Sequence, residues 1–132
     1  MGKAENAEIM RGYVEAWERN DCDAALAFWS DDIIHHVPGR SRLAGDFHGK
    51  QAFLEHYGKV FADLGGTIEV VAGHDVLVSD DHAVALVVER AVRGERSLEF
   101  NRVVVYHIRD GKIVETWSHD YDPYALDAFW EA

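Results

Sequence analysis

A chain of 132 residues that is 48% apolar is long enough for one domain with its own core, spanning residues 1–132, and leaves no room for a second. A net charge of −11, with lysines and arginines scattered singly, argues against nucleic acid or an anionic membrane surface as partner. The longest purely apolar run, Ala83 to Val88, falls far short of the ~20 residues of a membrane helix, and the start MGKAEN lacks a signal-peptide core, so a soluble, cytoplasmic protein is expected.

Residues 4–19 place Ile9, Met10, Tyr13, Val14 and Trp17 at helical spacing, with Glu8, Arg11, Glu15, Glu18 and Arg19 largely opposite. Asn20 and Asp21 break this helix, and Asp21 caps a short second one that carries Leu26, Phe28 and Trp29. Cys22, alone and flanked by two aspartates that would raise its thiol pKa, reads as a helix-start residue, not a nucleophile. Residues 33–37 are expected to form a short strand. The loop PGRSRLAGDFHG then leads to a third helix with Phe53, Leu54, Tyr57, Val60, Phe61 and Leu64 on one stripe, stopped by Gly65-Gly66.

From Thr67 the period changes to extended, with strands expected at about 67–78, 83–93, 97–109 and 112–120. Asp110-Gly111 is the strongest turn signal, since both positions tolerate the positive φ of a tight hairpin. The tail DPYALDAFWEA offers Asp122 as cap and Pro123 at a first helical position. Helices first and strands after predict an α+β domain, in which three helices cover one face of a curved antiparallel sheet and leave a cone.

This order, with YVEAW, AALAFWSDDIIHHVPG, LAGDFHG, FLEHY and VVVYHIRDGKIVETW, resembles the nuclear transport factor 2-like superfamily, and within it the SnoaL-like polyketide cyclase and ketosteroid isomerase-like branches. The resemblance covers nearly the whole chain and implies a cystatin-like α+β barrel. It also implies that Tyr13 matches an oxyanion-stabilising tyrosine of the steroid isomerases and that Asn101 takes the place of their second oxygen-charge donor. Their general-base aspartate stands before a proline, where this chain has Val37 before Pro38, so true ketosteroid isomerase chemistry is not expected. Nor do ERAVR and FNRVV supply the Arg-x-Asp arrangement of the epoxide-hydrolase branch.

Adjacent strand residues face opposite ways, so His35, which shares the face of Val37, is the preferred acid-base residue and His36 turns outward. The family register that the resemblance implies puts Val114, Thr116, Ser118 and Asp120 inward and Ile113, Glu115, Trp117 and His119 outward, and Asp120 could act as acid, as base or as the partner that orients His35. A rim histidine and a turn carboxylate are the plainer readings of the two. His119 would face outward unless a bulge reverses it. Trp17 and Tyr57 are expected to wall the cavity, the Tyr57 hydroxyl orienting a substrate carbonyl. Arg40, Arg42, Asp46 and His48 lie in a loop expected over its mouth. Glu89, Arg90, Glu99 and Arg102 are expected as cross-strand ion pairs facing solvent or a partner.

No His-Glu-x-x-His or His-x-His pair and no phosphate-cradling glycine loop is present, so neither a metal nor another cofactor is expected. The sequence thus points to a cofactor-free enzyme moving a proton on a small, largely apolar substrate by isomerisation, cyclisation or dehydration. A non-catalytic pocket for a hydrophobic ligand, or a dimerisation module, is the alternative. Phe100, Val104, Tyr106 and Trp117 are read as the outward face of the sheet, too apolar for water, which predicts a homodimer packed through the sheets.

Overall fold

The computed structural model describes residues 2–131. Helix α1 spans Lys3–Glu18 and α2 Cys22–Leu26; β1 (Trp29–Val37) and β2 (Gly45–His48) precede helix α3 (Lys50–Leu64). Strands β3 (Gly66–Val78), β4 (His82–Arg93), β5 (Arg96–Arg109) and β6 (Lys112–Asp120) follow, and α4 (Pro123–Glu131) comes last among the described residues. None of the helices among the described residues is long and apolar enough to cross a membrane.

Six strands form one curved sheet in the order β2-β1-β6-β5-β4-β3. It is mixed, not wholly antiparallel as expected: β1 runs parallel to β6, pairing His35 with Thr116 and His36 with Trp117. Strand β1 begins at Trp29, a residue read from the sequence as helical. The Phe28 carbonyl accepts from the Ile113 amide at 2.8 Å, so pairing with β6 overrides a weak local helix signal. Within the loop after Pro38, β2 adds an unexpected edge strand through His35–Phe47 and Val37–Gly45 pairing.

The turns behave as their residues dictate. Asp110 and Gly111 have φ of 52° and 79°, the two positive values a two-residue hairpin needs to follow the twist of its strands. Asp21 caps α2 by accepting from the Ala24 amide at 3.1 Å. Asn6, buried on α1, donates to the carbonyls of Ser79 at 3.1 Å and Asp80 at 2.8 Å, fastening the helix to the β3–β4 turn.

Two apolar clusters form beneath the helices. Met10, Tyr13 and Ala16 of α1 meet Trp29, Ile33, Val104, Tyr106 and Ile113 in one. Leu43, Val60, Ala91, Phe100, Leu126, Phe129 and Trp130 form the other, which α4 closes. The strap between Pro38 and Ala44 is tied over this second cluster. Asp127 accepts from the amides of Arg40 at 3.0 Å and Ser41 at 3.2 Å, and the Tyr57 hydroxyl donates to the Leu43 carbonyl at 2.7 Å.

Strand β3 reaches α1 only because residue 73 has no side chain. A Cβ on Gly73 would stand 2.2 Å from Val14 Cγ1. Gly73→Ala is expected to destabilise the fold by about 1–3 kcal/mol through overpacking, measured by denaturant unfolding. Adding Val14→Ala to the same chain should restore part of that loss.

Candidate active site

Helices α1 to α3 and the inner face of the sheet enclose a cavity of about 370 Å³. Its wall is mainly apolar, with Trp17, Leu26, Phe53, Phe61, Val70 and Val104 among its residues. Polar groups enter it in two places. His35 and Thr116 mark one, Glu89 and Arg102 the other, and Arg102 pairs with Asp120, four residues along β6 from Thr116 or roughly 13 Å at about 3.3 Å per strand residue.

His35 belongs to the first. Parallel pairing sets Thr116 beside it, and Nδ1 and Thr116 Oγ1 lie 2.6 Å apart in a hydrogen bond. The rings of Trp29 and Phe53 pack on the imidazole with centroids at 4.3 and 4.2 Å. His35 is 5% exposed and its Nε2 is buried without a hydrogen-bond partner. Burial, helped by the neighbouring charge of His36, pulls its pKa down to about 4, so the ring is neutral near pH 7. If Nδ1 donates to Thr116, Nε2 is a bare lone pair; if Thr116 donates, Nε2 carries the proton. Either tautomer leaves Nε2 as the atom free to react.

Trp29 joins this histidine to Tyr13. Its indole Nε1–H donates to the Tyr13 hydroxyl at 3.0 Å, which leaves the phenolic proton of Tyr13 available to another acceptor. Burial raises the pKa of Tyr13, keeping the phenol neutral. Tyr106 packs edge-on to Tyr13 at 5.6 Å and also lines the cavity, its hydroxyl held neutral by burial.

The second place is charged. Arg102 donates to Asp120 through Nε at 2.6 Å and Nη2 at 3.4 Å, and through Nη1 to Glu89 at 3.5 Å. Burial alone would weaken the guanidinium's hold on its proton, but Glu89 and Asp120 more than offset it and its pKa is raised. For Glu89 the balance goes the other way. Burial raises its pKa, and the opposing charge of Arg102 does not cancel that.

The SnoaL-like domain family matches residues 10–116, most of the chain. The chain belongs to the SnoaL-like domain family. Among solved structures, Bal32a from a soil-derived mobile gene cassette is 31% identical, with 97% of this chain and 98% of that one covered and a TM-score of 0.82. A Xanthomonas campestris protein with a cystatin-like fold is 27% identical over 94% of this chain and 96% of its own, also at TM-score 0.82. A nuclear transport factor 2-like protein from Burkholderia xenovorans LB400 shares the fold at TM-score 0.73 and 20% identity, covering 96% and 98%.

In this SnoaL-like chain the cavity is lined by His35, Tyr13, Trp17, Val37, Tyr57, Thr116 and Ser118. Other expectations need correcting. Asn101 is exposed on the outer face, because the β5 residues that turn inward are Phe100, Arg102, Val104 and Tyr106. Those three apolar side chains therefore do not form the outward face. Asp120 pairs with Arg102 and does not orient His35; Thr116 does. The Tyr57 hydroxyl is committed to the Leu43 carbonyl, so only its ring serves the cavity wall. Arg40 and His48 are exposed and do not line the cavity, and His119 is likewise exposed. Arg90 reaches Glu99 at 3.3 Å outside, whereas Glu89 and Arg102 form their pair inside. An arginine between two carboxylates is thus assembled from three strands without an Arg-x-Asp sequence. The signal available for it was cross-strand: Glu89 pairs with Phe100 and Asp120 with Arg102 in the observed register.

His35 and His36 should leave opposite marks on stability. Since folding favours neutral His35, the unfolded chain takes up this proton first. Stability is then intact above the ordinary value of 6.5 and falls as pH drops toward about 4, by on the order of 3 kcal/mol in total. His36 is raised by hydrogen bonds with Asp46 and Glu115, both at 2.6 Å, so its contribution is present at low pH and lost as pH rises through its folded-state value. Unfolding measured against pH should show a flatter acid limb in His35→Gln than in the parent.

Proposed function

We propose that the protein is a cofactor-free acid-base enzyme that moves a proton on a small, largely apolar substrate, with His35 as the group that carries it. The observation behind this reading is a buried, neutral imidazole on the cavity wall whose Nε2 has no partner. Buried polar atoms are usually satisfied, and of the four unpartnered side-chain atoms among the described residues, on Asn6, Ser30, His35 and Trp130, only that of His35 belongs to a residue lining this cavity.

In this reading Nε2 takes a proton from carbon next to a carbonyl, and the C–H electron pair moves toward the carbonyl oxygen. The Tyr13 phenol donates to that oxygen as negative charge develops there, in a low-dielectric setting where such a bond counts for more than in water. The imidazolium formed is disfavoured by burial, so it returns the proton readily to oxygen or to another carbon. Return at a different carbon is isomerisation; delivery to a hydroxyl one carbon further on, whose C–O bond breaks to release water, is dehydration; attack of the enolate carbon on a second carbonyl of the substrate, whose oxygen then takes the proton, is cyclisation. Thr116 holds the ring through Nδ1 during both transfers.

His35→Gln is expected to keep the circular dichroism spectrum of the parent and to lower turnover of a substrate found by screening by about 10²-fold or more. In the parent, the rate should hold through neutral pH and fall at low pH as His35 is protonated through about 4. A rate unchanged by the substitution would refute the role of His35.

We also infer a homodimer formed through the outer face of the sheet. Val84, Leu86 and Val88 of β4, Val103 and Val105 of β5 and Trp117 of β6 are all half-buried on that face, and Leu77 beside them is 56% exposed. An apolar surface this continuous favours a second copy of the same sheet. Light scattering should give a dimer, and Val105→Asp should shift it to monomer.

A further inference from the structure

The charged end of the cavity takes no part in the proton transfer assigned to His35, and its charges do not balance. Asp120 matches Arg102 through two donors, at 2.6 and 3.4 Å, whereas Glu89 has a single contact at 3.5 Å. The side chains of Arg102, Glu89 and Asp120 are 11%, 13% and 3% exposed. With both carboxylates ionised the cluster would carry an excess negative charge beside an apolar wall, which is costly out of water. The titratable groups facing Glu89 are Arg102 and Tyr106 on β5, Asp120 on β6, Tyr13 on α1 and Tyr57 on α3, and Arg102 is the only cation among them. A proton on one carboxyl removes the excess charge. Glu89 has only the single long contact to Arg102 and is buried, which favours its protonated form, so the proton falls to Glu89.

We propose that Glu89 is held as a neutral carboxylic acid on the cavity wall and donates the hydrogen bond that recognises an oxygen of the ligand at the end remote from His35. The ligand class follows from this donor. It is an uncharged, elongated, apolar body with a carbonyl or hydroxyl oxygen at that end. A carboxylate placed there would meet Asp120 and the lone pairs of Glu89 with Arg102 already engaged, and a cation would meet Arg102. Glu89 is in this scheme a specificity residue, separate from the reacting end. The inference rests on the cavity being the ligand site.

Two measurements on the intact protein test it. With isotope-labelled glutamate carboxyl carbons, the NMR signal lost in Glu89→Gln identifies Glu89 in the parent. That signal should stay in its neutral form at a pH where the surface glutamates are ionised. In Asp120→Asn, which frees Arg102 to pair with Glu89, it should move to the ionised form at lower pH than in the parent. Titration of Glu89 together with the surface glutamates in the parent overturns the proposal and leaves the reading of His35 untouched. In calorimetry, 2-acetylnaphthalene should bind and 2-naphthoate should bind roughly tenfold more weakly or worse, about the ratio that one unfavourable polar contact produces. Glu89→Leu should weaken the ketone and leave the naphthoate no tighter than the ketone in the parent. Equal or tighter binding of naphthoate by the parent overturns the ligand class. If neither compound binds while Glu89 stays neutral, the cavity is not the ligand site and the assigned ligand class falls with it.

Discussion

A guanidinium buried at Arg102 obliges the strands around it to supply carboxylates, and this obligation fixes how β4, β5 and β6 lie against one another. Removing one member of such a cluster costs about 3–5 kcal/mol, because the remaining charge is left uncompensated. A slip of β5 by one residue would carry Arg102 to the outer face and bring Asn101 inside, leaving Glu89 and Asp120 facing each other without a cation. The same register sends Val104 and Tyr106 to the cavity and Val103 and Val105 to the outer face. One ion cluster thus sets both the lining of the cavity and the composition of the surface proposed as a dimer interface.

The cavity and the cluster both lower stability relative to a filled apolar core. Unfilled volume forfeits contacts that side chains of this size could make, and charges taken out of water repay their desolvation only in part. The rest of the fold offsets these costs with closely packed elements: Met10, Ile33, Val60 and Ile113 are fully buried, and α4 ties the strap at residues 38–44 through Asp127. An interior that served only to hold the domain together would have no need of an unpartnered His35 Nε2 or a carboxyl at Glu89. Both lie on the wall of one hollow, and the proposed function of that hollow rests on their presence there.

Much of the architecture was legible in the sequence, because it rests on local chemistry. Helical spacing gave α1 and α3, Asp21 gave the cap of α2, and Asp110-Gly111 gave the last hairpin. The facing of β5 was not legible. Val103, Val104 and Val105 are apolar without alternation, and Asn101 stands next to Arg102, so neither hydropathy nor polarity marks which parity is inside. Only the partners across the sheet decide it, and these come from β4 and β6. The start of β1 was not legible for a related reason: the backbone pairing that makes Trp29 extended lies more than eighty residues away, at Ile113. On β6, a register shift at His107/Ile108 leaves Val114 opposite no partner and lets Ile113 be the buried residue, while Thr116, Ser118 and Asp120 keep their common face.

The two adjacent histidines show how far environment, not residue type, assigns the chemistry. Strand alternation is enough to send His35 in and His36 out. Inside, His35 meets Trp29, Phe53 and a single hydroxyl but no carboxylate, so desolvation prevails and the ring is neutral. Outside, His36 stacks on Trp117 and lies between the carboxylates of Asp46 and Glu115, so the charged form is favoured. A charge on His36 further disfavours one on His35, since two cations on neighbouring residues repel. The outer histidine, anchored by two acids across β2 and β6, therefore helps keep the inner one free of its proton. The strand thereby couples the surface to the site through charge alone, with no change of conformation required.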